Sequence, residues 1–285
     1  MPDNYISCFL MGGLGNQLFQ IITTLAYSIR YNLRVVFTHD TVLTIGKYRP
    51  TYWDTIFDNI KDRTTHNLNL CITNEQVLSY KRYTYNETLY KEIPIFSKEN
   101  IMISGYFQSY KYFHNEIDKI FELLNIDIKQ SIIASEYTNL LQGQTVSMHF
   151  RLGDYVHQQH NHPVLPAIYY QKAVSYILSK RPGPLNILYF CEAADNEAVN
   201  KTLDTLRDMN IRLIKAPDTI PDWKQMLLMS LCEDNIIANS TFSWWGSYFN
   251  RRKDAIHCYP SIYYGPAMAA DVSDLYPDSW VKIDI

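Results

Sequence analysis

Short apolar runs alternate with helix-spaced segments along most of this chain. The run at 5–11 reads as a buried strand, a glycine turn follows, and 16–31 carries apolar residues at helical spacing. A second apolar run at 33–38 completes the start of a strand–helix–strand unit. Residues 40–100 are rich in Tyr, Asn, Thr and Lys, with weak periodicity, and no element is assigned there. A strand is predicted at 101–105 and a helix at 112–124. Beyond about residue 140 the alternation sharpens. Strands at 145–150, 186–191, 211–216, 235–238 and 255–259 are separated by helices at 166–180, 196–209, 221–232 and 242–251. Pro166 suits the first turn of its helix. Alternation of this kind predicts the α/β class, with mainly parallel, doubly wound sheets. The change of pattern divides the chain into residues 1–140 and 141–285, and the segment from Asp271 is a candidate to fold back on the first part.

Composition narrows the functional classes. The chain is 47% hydrophobic and 19% charged, which are globular values. A net charge of -3 gives no electrostatic reason to expect nucleic acid or an anionic membrane surface as partner. The five cysteines, Cys8, Cys71, Cys191, Cys232 and Cys258, are odd in number and form no C-x-x-C. They read as free thiols of a reducing compartment. No basic leader precedes an apolar stretch, and no apolar span approaches membrane length. A cytoplasmic protein without an integral membrane segment is therefore expected.

Three segments carry the candidate chemistry. The first is Gly12-Gly13-Leu14-Gly15-Asn16-Gln17, set between a strand and a helix. Glycine lets the backbone approach a ligand, and the helix start offers free N–H groups to an anion. The loop lacks the Lys-Ser/Thr of a P-loop, and Leu18 stands where a dinucleotide fingerprint needs its third glycine. The amides of Asn16 and Gln17 can bond sugar hydroxyls or a phosphate oxygen. The second segment is His149-Phe150-Arg151-Leu152-Gly153-Asp154-Tyr155, at the end of a predicted strand. Open α/β sheets bind ligands at that edge. Arg151 can neutralise a diphosphate leaving group through paired hydrogen bonds. His149 can bond a base or ribose, and Asp154 can bind an acceptor hydroxyl or serve as general base. A structural Arg–Asp ion pair is the plainer reading of an isolated R-x-x-D.

The third segment, Asn239-Ser240-Thr241-Phe242-Ser243-Trp244-Trp245, again falls between a strand and a helix. Helix capping explains one of its hydroxyls, and the others are candidates for phosphate. Glu192 and Asp195 follow a neighbouring strand and can face a guanine, with helix capping the alternative for Asp195. His157, His160 and His162 lie in a predicted loop with no acidic residue or cysteine interleaved, and no metal is expected there.

Taken together and in this order, these segments resemble the α-1,2-fucosyltransferases of glycosyltransferase family 11, in their soluble bacterial or viral type. His162-Pro163-Val164-Leu165-Pro166, Phe190-Cys191-Glu192 and Met229-Ser230-Leu231-Cys232 add to the resemblance. It implies a GT-B-like fold of two Rossmann-like α/β domains, with residues 141–285 binding the donor and 1–140 carrying the glycine loop and the acceptor side. It also implies inverting, metal-independent transfer of L-fucose from GDP-β-L-fucose to the 2-hydroxyl of a galactose-containing glycan. No cofactor beyond the donor substrate is implied. By resemblance Arg151 holds the β-phosphate, His149 lies near the guanine, and Asn16 faces the reaction centre. Ser240, Thr241 and Ser243 bind phosphate. The expected site is thus Arg151, Asp154 and Asn16 for chemistry. His149, Gly13, Gly15, Gln17, Glu192, Asp195, Asn239, Ser240, Thr241 and Ser243 are expected to bind the donor. One position departs: the family often has a second arginine where this chain has Leu152, which can neither contact phosphate nor pair with Asp154. Another nucleotide-sugar donor, and a non-catalytic glycan- or nucleotide-binding protein, stay open as alternatives.

Overall fold

The computed structural model describes residues 4–44, 47–86, 88–96, 99–268 and 270–285. Within the stretch 40–100, where the sequence assigns no element, residues 45, 46, 87, 97 and 98 lie outside the described residues. Two compact units are formed. One comprises Met1–Ile128 with Asp271–Pro277, the other Lys129–Ala270 with Asp278–Ile285.

The first unit opens with β1 (Tyr5–Cys8), α1 (Leu14–Tyr31) and β2 (Arg34–Val35). A small antiparallel pair follows, β3 (Val42–Leu43) with β4 (Arg49–Pro50). Then come α2 (Asn74–Leu78), β5 (Lys81–Thr84), β6 (Ile101–Ser104) and α3 (Ile117–Leu123). The main sheet has the order β2-β1-β6-β5, and each pair is parallel. Helix α1 is buried almost all round from Leu14 to Ser28, so it is the core of the unit rather than its surface. The expected helix at 112–124 begins as two short 3-10 turns, and only its second half is α-helical. The returning segment is tied in by Asp274, which accepts the Tyr90 N–H (3.1 Å) and ion-pairs with Lys111.

The division between the units falls inside α4 (Ile126–Glu136). The second unit then runs β7 (Thr145–His149), α5 (Ala167–Lys180), β8 (Leu185–Phe190), α6 (Asn196–Asp204) and β9 (Ile211–Lys215). It continues with α7 (Asp222–Ser230), β10 (Asp234–Ile236), α8 (Thr241–Tyr248), β11 (His257–Pro260) and β12 (Val281–Ile283). All five neighbouring strand pairs are parallel, in the order β12-β11-β10-β7-β8-β9. Counted within the unit this is 6-5-4-1-2-3, the order of a dinucleotide-binding doubly wound sheet read from its other edge. The chain turns one way from β7 and returns to β10 on its other side. The topological switch point therefore lies between β7 and β10. Every residue of β7 is buried, as expected for a central parallel strand covered on both faces. The α/β, GT-B-like class expected from the sequence is the class observed.

Beneath this sheet runs a buried polar network. The Asn235 amide donates to Ser147 Oγ (2.7 Å) and to the Met229 carbonyl (2.9 Å). Its oxygen accepts from Asn250 (2.9 Å) and faces Nδ1 of His257 at 3.0 Å. An amide oxygen can only accept, so Nδ1 of His257 carries the proton. Ser247 Oγ lies 2.7 Å from the same nitrogen. Burial holds His257 neutral and pushes its pKa down to about 4. In the unfolded chain the same residue takes up a proton near pH 6.5. Acid therefore favours unfolding, and stability should fall between pH 6.5 and 4, by at most about 1.4 kcal/mol per pH unit for this one group. Urea midpoints at pH 7 and 5 should differ in that sense, and a His257→Asn variant should show a smaller pH dependence.

Candidate active site

The loop that leaves β7 carries Arg151, and three features fix its guanidinium. Nη2 donates to Asp154 Oδ1 (2.5 Å), Nη1 donates to Glu192 Oε1 (2.8 Å), and the group lies over the Tyr155 ring, 5.0 Å from its centroid. Glu192 stands beyond the end of β8, the neighbouring strand. Gly153 makes the intervening turn at φ +44. A Cβ there would meet the Glu192 carboxylate at 3.4 Å, and the Gly153 N–H donates to Asp195 Oδ2 (3.0 Å). Asp195 thus braces the loop and makes no side-chain cap on α6. Leu152 is buried in the core of the second unit. The departure at that position is a packing residue, and the charge at the loop rests on Arg151.

Across the switch point, the segment after β10 leads into α8. Ser240 caps the helix, accepting from the Phe242 N–H (3.3 Å). Ser243 is buried, and its hydroxyl accepts from the Ala238 N–H (3.2 Å), so it shapes the turn. Asn239 is fully buried and its amide donates to the carbonyls of Pro163 (2.9 Å) and Tyr263 (3.2 Å). Its side-chain oxygen is buried with no hydrogen-bond partner. Thr241 is half-buried at the first helical position. The residue that joins the two loops is Tyr155. Its ring underlies Arg151 and its hydroxyl donates to the Asn239 carbonyl (3.3 Å). Tyr155 also stacks on His162 (4.8 Å, 20°). Burial raises the pKa of Tyr155, so it stays a neutral donor. The sequence motif alone assigns Tyr155 no task; the signal for it is its place directly after Asp154.

His149 ends β7 and is buried against Phe242, with ring centroids 5.5 Å apart. Burial, reinforced by the Arg151 charge, pushes its pKa down to about 3. It is a neutral hydrogen-bonding group and takes no part in acid–base chemistry near neutral pH. Its Nδ1 is buried and unpartnered. Of the loop histidines, His162 stacks on Tyr155, while His157 and His160 are exposed. Among the described residues no group of three or more His, Cys, Asp or Glu is placed to hold a metal ion.

The glycine loop lies in the first unit. Gly12 takes φ +79, and a Cβ there would fall 2.5 Å from Nδ2 of Asn16, so only glycine leaves room for that amide. Asn16 Oδ1 accepts from Gln108 Nε2 (3.1 Å). Gln17 is fully buried, with Nε2 donating to the carbonyls of Gly12 (3.0 Å) and Pro50 (2.8 Å). It holds the loop, as does Gln20, which bonds both backbone groups of Met11. Gly15 is buried inside α1, and Gly13 caps the helix with open space at its Cα. Gly12, Gly13 and Asn16 are half-buried, whereas Gly15 and Gln17 are buried.

Residues 55–284, most of the chain, match the sequence profile of "Glycosyl transferase family 11". The chain belongs to glycosyl transferase family 11. It is 26% identical to the O-antigen biosynthesis glycosyltransferase WbnK of Escherichia coli, over 97% of this chain and 99% of that one. An alpha-1,2-colitosyltransferase of Escherichia coli is also 26% identical, over 96% and 97% of the two chains. A galactoside 2-alpha-L-fucosyltransferase of Caenorhabditis elegans is 23% identical over 95% of this chain and 77% of the other. Among solved structures, a glycosyl transferase family 9 protein from Veillonella parvula shares the fold. Its TM-score is 0.51 at 11% identity, covering 99% of this chain and 86% of that one. No described helix is long and apolar enough to cross a membrane.

If Tyr155 carries the guanidinium, its ring matters more than its hydroxyl. For GDP, the nucleotide of the donor proposed below, Tyr155→Phe should bind within about threefold of wild type, whereas Tyr155→Leu should bind about tenfold more weakly, the order of a partly buried cation–π contact. Calorimetric titration with GDP checks this.

Proposed function

We propose that this family 11 chain is an inverting transferase that moves L-fucose from GDP-β-L-fucose to the 2-hydroxyl of a galactoside, giving an α-1,2 linkage. The observation that carries the reading is Arg151, held at the switch point of the second sheet, beside the Asn239–Thr241 segment that opens α8. In this scheme the bond between the fucose C1 and the β-phosphate oxygen breaks, and negative charge grows on the departing diphosphate. A fixed guanidinium and the N–H groups at the start of α8 stabilise that charge where it develops. The acceptor oxygen attacks C1 from the opposite face, through a transition state resembling an oxocarbenium ion. Its proton is lost to solvent on that face, because the Asp154 carboxylate is committed to Arg151 at 2.5 Å. Asp154 is then a positioning group. Glu192, the exposed partner of Arg151, is the one the diphosphate replaces. His149 and Asp195 lie on the same sheet edge and complete the donor side.

The colitosyltransferase among the relatives favours a second reading, in which the donor is GDP linked to another deoxysugar. Purified protein should therefore be given GDP-fucose and GDP-colitose in parallel with a panel of β-galactosides, with product linkage read by NMR. An α-1,2-fucosylated product supports the first reading, and transfer from GDP-colitose alone supports the second. GDP binding without turnover on either donor would point to a binding protein. In the active enzyme, Arg151→Ala should lower kcat by about 100-fold or more, the scale of losing a preorganised charge stabiliser.

A further inference from the structure

The first sheet has a switch point of its own. From β1 the chain turns to β2 on one side, while β6 lies on the other. In open α/β sheets the loops at such a point are where ligands are held. An amide pair joins the loops after β1 and β6, Gln108 Nε2 donating to Asn16 Oδ1 (3.1 Å). Further along the second loop, Lys111 is ion-paired with Asp274, so its charge is already neutralised.

The loop after β6 is built with care for one aromatic side chain. At Gly105 a Cβ would stand 2.5 Å from the Tyr85 carbonyl oxygen. Phe107 adopts φ +51, a left-handed conformation that costs energy for a bulky residue. The result is that Phe107 enters the core, 3% exposed, packing on Tyr85 and Tyr112. Tyr106, one residue earlier, is left 47% exposed. An exposed tyrosine ring in the same short loop as a paired amide has the chemistry of sugar recognition. The ring face covers the apolar C–H groups of a pyranose, and amides exchange hydrogen bonds with its hydroxyls.

We propose that Tyr106 and Gln108, with Asn16, form a subsite for a pyranose ring of the acceptor glycan. This rests on the transferase reading above, and two measurements on the full chain keep the two apart. In transfer to lactose, Tyr106→Ala and Gln108→Ala should each raise the acceptor KM about tenfold, the scale of one lost contact. Tyr106→Phe should stay near wild type, and GDP affinity should be unchanged in all three. A fall in kcat at unchanged acceptor KM would overturn the subsite, since Gln108 would then act only through the glycine loop. Saturation-transfer NMR with lactose adds a readout independent of turnover. A wild-type lactose signal that is lost in Tyr106→Ala upholds the subsite even where no fucose moves. Absence of both signal and transfer in the wild type removes it.

Discussion

The carboxyl edge of the second sheet is organised around one guanidinium fixed by its own neighbours. Arg151 is bonded to two carboxylates from different loops and lies over a tyrosine ring. The magnitudes decide which of these contacts give way. An exposed ion pair is worth about 0–1 kcal/mol, and the Glu192 side chain is 62% exposed. In the proposed scheme a diphosphate, with more charge than one carboxylate, displaces such a partner. The Asp154 contact is shorter and less exposed, and the Tyr155 ring is fixed by its own hydrogen bond to the Asn239 carbonyl. In that scheme, binding exchanges one weak partner and leaves the orientation of the cation as it was.

The remainder of the second unit explains why Arg151 stands where it does. A fully buried β7 delivers His149 and then Arg151 to the carboxyl edge of the sheet. The 6-5-4-1-2-3 strand order opens the crevice beside it. Asn239 then ties the 163 and 263 regions together from the far side of that crevice. In the first unit, Gln17 and Gln20 do the same work for the glycine loop. Much of the polar chemistry in both motifs is architectural. It shapes the glycine loop in the first unit and the turn from Asn239 to Ser243 in the second.

This division of labour explains what could be read from the sequence. The second unit was legible because central parallel strands are continuous apolar runs bounded by turn residues. The first was less so: β5 is a mostly exposed edge strand, Lys-Arg-Tyr-Thr, with no apolar run to mark it. Helix α2 has a Thr73–Gln76 capping box, a sequence signal too short to stand out beside weak periodicity. The unit division falls inside α4, which leaves Ile128 and Ile132 exposed and lacks a clear apolar stripe. In the site, Arg151 was visible from its motif. The tasks of Gln17 and Ser243 were not, because tertiary structure decides which backbone groups engage a side chain. For Gln17 the partner carbonyl is Pro50, 33 residues away. Tyr155 was hidden for the same reason, with its hydroxyl partner 84 residues distant.

The most direct test of this account is ³¹P NMR of GDP titrated with wild-type protein and with an Arg151→Lys variant. A point charge cannot reproduce the two-armed contact of a guanidinium. A β-phosphorus resonance that shifts more than the α-phosphorus on binding, with that difference lost in the variant, is the predicted result. Equal shifts at both phosphorus atoms, or a β-phosphorus shift that survives the substitution, would contradict the placement of the diphosphate at Arg151.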